Sequence, residues 1–162
     1  MSSEHAEIRR ALDPVMLELG ATVYISQLFE NSLTFLHELI DHDEAISARV
    51  PRLPTLYSRR TLGQLLVLLQ KRIDVPPETV EFLLSGVEMR NKVVHRYITD
   101  RILQLKTEDG RVQVIEELRQ LRDAIRMRDR SVCELIDSYL KKHGMPVTDE
   151  LKRLPFFQSQ NL

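Results

Sequence analysis

The chain has 162 residues, of which 43% are hydrophobic and 29% are charged, and its net charge at pH 7 is −1. This length and composition predict a single folded domain over residues 1–162 and argue against wholesale disorder. With 5 glycines and 7 prolines, the chain has few turn residues for an all-β protein. The near-neutral charge disfavours a strongly basic surface that would steer nucleic acid over long distances, and leaves room only for a local basic patch.

The cysteine content and the lengths of the apolar runs exclude several kinds of site and segment. Cys133 is the one cysteine, so neither an intramolecular disulfide nor a cysteine-based zinc site can form within one chain. We expect Cys133 to be a small buried apolar side chain and the protein to be cytoplasmic. The polar amino terminus lacks an apolar signal core, and charges interrupt every apolar run well before the roughly 20 residues of a membrane span. We therefore expect no membrane association.

The first half of the chain predicts two helices. Residues 1–12 are polar and predict at most a loose helical segment. A long helix is predicted from Pro14, with Asp13 as its N-cap, and it fades at the polar residues 41–43. Residues 44–58 contain two prolines and no clear periodicity, which is typical of a loop. A shorter helix is predicted at about 61–73, and its many leucines favour a central position in the core.

The second half predicts two more long helices. The third runs from about Pro77 to Leu105, with a kink or restart near Thr99-Asp100. Asp109-Gly110 is typical of a turn, and the last helix follows over about 112–143, stopped by Gly144 and leading to a tail over 145–162. The apolar seam of this last helix is interrupted by a single charged residue, Arg128, and comprises Val114, Leu118, Leu121, Ile125, Arg128, Val132, Leu135 and Tyr139. The whole pattern predicts an all-α, antiparallel bundle of four to five helices.

The segment that suggests chemistry is Met89 to Tyr97 (MRNKVVHRY), inside the third predicted helix. Asn91 and His95 are four residues apart and share a face, while Arg90 and Tyr97, seven apart, are nearly aligned. An arginine can hold a phosphate through its planar fork of donors, and a histidine can move a proton to or from a ribose 2′-hydroxyl. The group therefore suits phosphodiester chemistry, which requires no metal or other cofactor.

Each of these residues also has a purely structural interpretation. Arg90 and His95 could instead satisfy acidic residues on adjacent helices, such as Glu30 or Glu38. Arg96 could contact RNA or lie on a solvated face. Arg128 could reach an RNA phosphate or pair with a buried acid across a dimer. His37 and His42, five residues apart, diverge by about 140° on a helix and make a poor pair of metal ligands.

The segment resembles the R-x4–6-H motif of the HEPN superfamily, with Arg90 and His95 as the motif residues, Asn91 directly after the arginine, and Arg96 and Tyr97 directly after the histidine. HEPN domains are bundles of four or five helices. The segment is similar to the R-x4-H-x-Y form of HEPN toxins that are paired with a minimal nucleotidyltransferase antitoxin. The resemblance covers roughly residues 13–143, with sequence detail only at 89–98.

The resemblance implies a metal-independent endoribonuclease that leaves a 2′,3′-cyclic phosphate and works as a homodimer with a composite cleft. It implies catalytic roles for Arg90 and His95, with Asn91 and Glu30 in support, and modification of Tyr97 with AMP by the partner nucleotidyltransferase. Tyr97 could alternatively pack beside another helix. The competing hypothesis is a catalytically inactive helical module that binds a protein or a nucleotide. A helical DNA-binding protein is disfavoured by the near-neutral charge and the lack of a helix-turn-helix spacing.

Overall fold

The computed structural model describes residues 3–41 and 61–144, and within these ranges the chain is helical and contains no strand. The helices are α1 (Ser3–Asp41), α2 (Leu62–Arg72), α3 (Pro77–His95), α4 (Tyr97–Arg101) and α5 (Glu108–Lys142), and a 3₁₀ turn at Gln104–Lys106 precedes α5. The predicted all-α bundle of four to five helices is confirmed. The predicted loop at 44–58 and the predicted tail at 145–162 lie outside the described residues.

The start of α1 was predicted wrongly. The helix begins at Ser3 and carries Pro14 inside it, so Asp13 is not an N-cap. Pro14 is exposed, and a proline inside a helix removes one backbone hydrogen bond. Val15, which follows it directly, is completely buried and anchors this part of α1 to the bundle. The anchoring next to the proline explains why the helix continues through it.

The break after α3 lies earlier than predicted. It falls at Arg96, whose backbone angles are φ −133° and ψ −17°, rather than at Thr99-Asp100. Arg96 closes α3 through its backbone N–H, which donates to the Lys92 carbonyl at 3.1 Å. His95 is therefore the last residue of α3, and Tyr97 is the first residue of α4.

The turn predicted at Asp109-Gly110 is also wrong, because both residues lie in the first turn of α5. The N-cap is Thr107, whose hydroxyl accepts a hydrogen bond from the Gly110 N–H at 3.1 Å. A Cβ atom at Gly110 would lie 2.0 Å from the Gln104 carbonyl oxygen. Glycine is needed here because the 3₁₀ turn approaches the helix closely, and not because the chain reverses.

The apolar seam predicted for the last helix faces the core. Its buried members are Val114, Leu118, Ile125, Val132 and Tyr139, while Leu121, Arg128 and Leu135 are half-buried. Cys133 is buried, as predicted. The helix ends at Lys142, one residue before the predicted end, and Gly144 follows with φ +63°, as expected of a helix stop.

The directions of the helices follow from their contacts. Val15 packs with Val114 near the start of α5, and the Thr22 hydroxyl donates to the Leu118 carbonyl at 3.2 Å. Further along, Phe29 of α1 and Arg128 of α5 meet at Gly86 of α3. The predicted antiparallel order therefore holds for the α3–α4 segment against α1 and α5, with Gly86 near Phe29 and Tyr97 near Val15, whereas α1 and α5 run in the same direction. The short connection between α2 and α3 makes these two helices antiparallel.

Candidate functional site

A groove with a volume of about 990 Å³ lies where α3 meets the start of α2 and the middle of α1. We call it the α3 groove, and the described residues that line it are Glu30, Thr61, Leu62, Gly63, Val87, Arg90, Asn91, Lys92, His95, Arg96 and Asp100. The structure thus brings five of the predicted site residues together: Glu30, Arg90, Asn91, His95 and Arg96. It places the two others, Tyr97 and Arg128, elsewhere.

Arg90 is held at the inner edge of the groove by two neighbours. Its side chain is 18% exposed and forms an ion pair with the Glu30 carboxylate across the α1–α3 contact. Its Nη1 also donates to Asn91 Oδ1 at 3.0 Å. Its Nε is buried and has no hydrogen-bond acceptor among the described residues. Two predictions were made for Arg90 and Glu30: that Glu30 supports a catalytic Arg90, and that the two form a purely structural ion pair. The observed ion pair is consistent with both.

His95 and Asn91 point to the open side of the groove. Both residues are exposed, as their shared helical face predicts. Within residues 3–41 and 61–144 the structure gives His95 no ion pair, so the structural interpretation applies to Arg90 and not to His95. Arg96 and Lys92 are exposed next to it and add two cations to the groove lining.

Tyr97 does not reach the groove. It is 1% exposed and packs with Val15, Val114 and Leu118. Its hydroxyl donates to Glu117 Oε2 at 3.0 Å and lies 3.3 Å from the Val114 carbonyl oxygen. Burial and the hydrogen bond to Glu117 raise the pKa of the phenol. The phenol expected beside the guanidinium and the imidazole is a core residue, as the alternative interpretation held.

Glu117 and Arg101, whose side chains are 40% and 21% exposed, extend this network from the buried phenol to the surface, and the sequence reasoning missed both. Glu117 Oε2 also accepts from Arg101 Nε at 3.0 Å and from Arg101 Nη2 at 2.8 Å. Burial alone would raise the pKa of the Glu117 carboxyl, but the hydrogen bonds from Arg101 and Tyr97 outweigh it and lower the pKa. Periodicity within α5 could not have identified Glu117, because its role depends on how α4 and α5 align.

Arg128 is bound inside the bundle and not in the groove. Its Nε and Nη2 donate to the Ser85 hydroxyl at 3.1 and 3.0 Å, and its Nη1 donates to the Ala124 carbonyl at 2.8 Å. The guanidinium lies 4.2 Å from the centre of the Phe82 ring, a cation–π contact. Burial lowers its pKa. Arg128 is thus satisfied by a hydroxyl, a carbonyl and a ring, all from its own chain.

Among the described residues, no group of three or more His, Cys, Asp or Glu residues is arranged to hold a metal ion. No helix in the same ranges has the length and apolar character of a membrane span. No model of a known protein family, no curated protein and no solved structure matches this chain. The motif and the geometry of the groove are therefore the observations that bear on function.

Proposed function

We propose that the protein is a metal-independent endoribonuclease of the HEPN type and that the α3 groove is its active site. The observation that carries this proposal is that Arg90, Asn91 and His95, the residues of the motif, line one open groove. Arg90 supplies the phosphate-binding fork at the inner edge, and His95 supplies an accessible imidazole at the outer edge. One chain therefore contributes both of the groups that the reaction uses.

The reaction follows from these two groups. His95 takes the proton of a ribose 2′-hydroxyl, and the 2′-oxygen then attacks the adjacent phosphorus. The bond from phosphorus to the 5′-oxygen breaks, and the leaving oxygen takes a proton from water in the open groove. The upstream RNA ends in a 2′,3′-cyclic phosphate and the downstream RNA in a 5′-hydroxyl. Arg90 stabilises the charge that grows on the phosphate oxygens during attack.

The charges of the groove suit an RNA backbone. Arg90, Lys92 and Arg96 line it, against the carboxylates of Glu30 and Asp100. The first turn of α2 also borders it, and the amino-terminal end of a helix carries a partial positive charge. The lining thus carries three cations against two carboxylates, an excess of positive charge that favours contact with an RNA backbone.

Modification of Tyr97 with AMP does not fit the folded chain. A hydroxyl that is buried and donates to Glu117 is not accessible to a nucleotidyltransferase in the folded chain. If the protein acts as the toxin of a toxin–antitoxin pair, we expect its antitoxin to act at the α3 groove. The composite cleft of two subunits, which the resemblance implies, stays a prediction.

A second candidate is an inactive module that binds RNA or a protein in the same groove. The ion pair between Arg90 and Glu30 favours it, because a guanidinium held by a carboxylate has fewer donors left for a phosphate. The two functions differ in the fate of the RNA, since the module binds it and releases it intact.

The test is to incubate a labelled structured RNA with the purified protein in EDTA, alongside the variants His95→Ala and His143→Ala. His143 is the matched control, because it is also exposed and lies beyond the end of α5. We expect cleavage by the parent and by His143→Ala, with cyclic phosphate ends, and a loss of about 10²–10⁴-fold in His95→Ala. RNA that is bound but left intact by the folded parent would support the module, and equal cleavage by His95→Ala would refute the assignment of His95.

A further inference from the structure

Arg128, the one charged residue in the apolar seam of α5, lies in a position that is shaped to receive it. A Cβ atom at Gly86 would lie 3.0 Å from Arg128 Cδ and 3.0 Å from Phe29 Cζ. Glycine in the middle of a helix weakens that helix relative to alanine. Gly86 therefore admits the stem of the arginine beside the Phe29 ring, although α3 is less stable with a glycine there.

The contacts of Arg128 hold its guanidinium in place but do not balance its charge. The Ser85 hydroxyl, the Ala124 carbonyl and the Phe82 ring are all uncharged. Among the described residues Arg128 forms no ion pair. Burial lowers its pKa, and no nearby carboxylate acts in the other direction. A half-buried charge is unfavourable unless an opposite charge meets it, which points to an anion from another molecule.

One end of the guanidinium is available for such an anion. A guanidinium has five N–H donors, of which three are directed at Ser85 and Ala124. Nε and Nη2 share the Ser85 hydroxyl, so the second N–H of Nη2 points to the far end of the guanidinium, next to Nη1. One N–H on each Nη atom is therefore left for solvent or a ligand, and this pair of donors matches two oxygens of a carboxylate or a phosphate.

The surroundings of this end favour a carboxylate over RNA. Glu81 and Glu88 are exposed on α3, four residues before and three residues after Ser85, so they lie on the same side of the helix. An RNA strand carries a phosphate with every nucleotide, and both glutamates would repel it. A ligand with one carboxylate brings a single charge, which Arg128 balances. Met127, the residue before Arg128, is 58% exposed and offers apolar surface to the rest of such a ligand.

We propose that Arg128 binds a single carboxylate group of another molecule at the contact between α3 and α5. Ser85 and Phe82 already fix the guanidinium, so little side-chain entropy is lost on binding. The half-buried setting strengthens the attraction between the two charges. None of these three residues lines the α3 groove. The inference therefore does not depend on the ribonuclease proposal, and it is measured without RNA cleavage.

The site is tested by an NMR titration of the full chain that follows the Nε–H signal of Arg128, identified as the signal lost in Arg128→Met. The titrants are N-acetyl-glutamic acid amide, whose only carboxylate is on its side chain, and N-acetyl-glutamine amide, which has the same shape without the charge. We expect the glutamate compound to shift the signal with a Kd of about 1–10 mM, and the glutamine compound to leave it unchanged. Equal responses to both, or no response to the glutamate compound at about 50 mM, would overturn the proposal.

Further titrants identify the source and the class of the anion. A tighter response to the glutamate compound than to sodium acetate would indicate a protein side chain, and an equal response would indicate a small free carboxylate; both support the site. Tighter binding of inorganic phosphate or of a short single-stranded RNA would assign the guanidinium to phosphate and overturn the proposal. Arg130→Met, at an exposed position on α5, is the control variant and should respond like the parent.

A stability measurement separates this role from a purely structural one. Arg128→Met removes the unbalanced charge and fills the seam with a flexible apolar side chain of similar length. We therefore expect this variant to unfold at the same temperature as the parent or at a higher one, followed by circular dichroism. If the main role of Arg128 were to hold α3 against α5, the unfolding temperature would fall by about 5 °C or more, and the proposal would be wrong.

Discussion

His95 and Tyr97 lie two residues apart in one motif, yet the structure places them in opposite environments. His95 is exposed in the α3 groove, whereas Tyr97 is 1% exposed in the core between α1 and α5. Arg96, between them, ends one helix and precedes the next. Residues of one short motif can therefore have two different roles: some line a surface groove, and others pack in the core beneath it.

His95 and Tyr97 differ in direction, because residues two apart along a helical backbone point to nearly opposite sides, whereas Arg90 and Tyr97 differ in depth. Arg90 and Tyr97, seven residues apart, both turn towards the bundle, as helical spacing predicts. Arg90 reaches only the half-buried edge, where Glu30 meets it, and Tyr97 reaches the interior, where Glu117 meets it. Spacing along a helix predicts which way a side chain points, and the neighbouring helices decide whether it ends in solvent or in the core.

The largest effect on stability is expected from Tyr97→Ala. Truncating a buried aromatic side chain leaves a cavity, and here it also removes a hydrogen bond to Glu117. We expect the free energy of unfolding to fall by about 3 kcal/mol or more, measured by urea denaturation. The same measurement on Leu103→Ala, which truncates a residue that is 72% exposed, should give a change below about 0.5 kcal/mol. Similar losses in the two variants would contradict the burial of Tyr97.

The next effect is expected in activity, from Arg90→Lys. Lysine keeps the positive charge but has no planar fork for a phosphate. We expect RNA cleavage to fall at least tenfold, with kcat more affected than KM, because the fork stabilises the charge that develops in the transition state. Arg130→Lys, at an exposed position on α5, is the control and should cleave like the parent. Full activity of Arg90→Lys would mean that Arg90 acts only as a charge.

A smaller effect on the free energy of unfolding is expected when the pH is lowered, because Glu117 then takes up a proton. Because the folded chain lowers the pKa of this carboxyl below its ordinary value of 4.5, its contribution to stability is present above about pH 4.5 and is lost as the pH falls through the lowered pKa. Glu117→Gln should therefore lose less stability than the parent between pH 5 and pH 3. Urea midpoints across that range give the measurement, and parallel curves for the two proteins would argue against the network around Glu117.

Much of the fold could be predicted from periodicity and end signals. The seam of α5, the bounds of α2 and the stop at Gly144 follow from local sequence and are confirmed. The errors at Pro14 and Gly110 have one cause, which is that neighbouring elements overrode a local signal. Val15, next to Pro14, is buried in the core, and the 3₁₀ turn lies in close contact with Gly110. Neither contact can be inferred from one helix alone.

The candidate site could be predicted only in part, for the same reason. Asn91 and His95 share an exposed face because they are one turn apart on a single helix. The roles of Glu117 and Arg128 depend on how α5 aligns with α3 and α4, so the sequence could neither identify the first nor place the second. The pair between Arg90 and Glu30 is the contact between helices that the sequence did suggest, and there only as one of two interpretations.

The most direct test of the account asks whether His95 acts in the site and Tyr97 in the core. The variants Tyr97→Phe and His95→Ala are each measured for RNA cleavage in EDTA and for stability by urea denaturation. We expect Tyr97→Phe to cleave like the parent and to unfold more easily, since it loses only the buried hydroxyl. We expect His95→Ala to unfold like the parent and to lose cleavage. Loss of cleavage in Tyr97→Phe without a change in stability, or full cleavage by His95→Ala, would contradict the division of the motif into a site and its support.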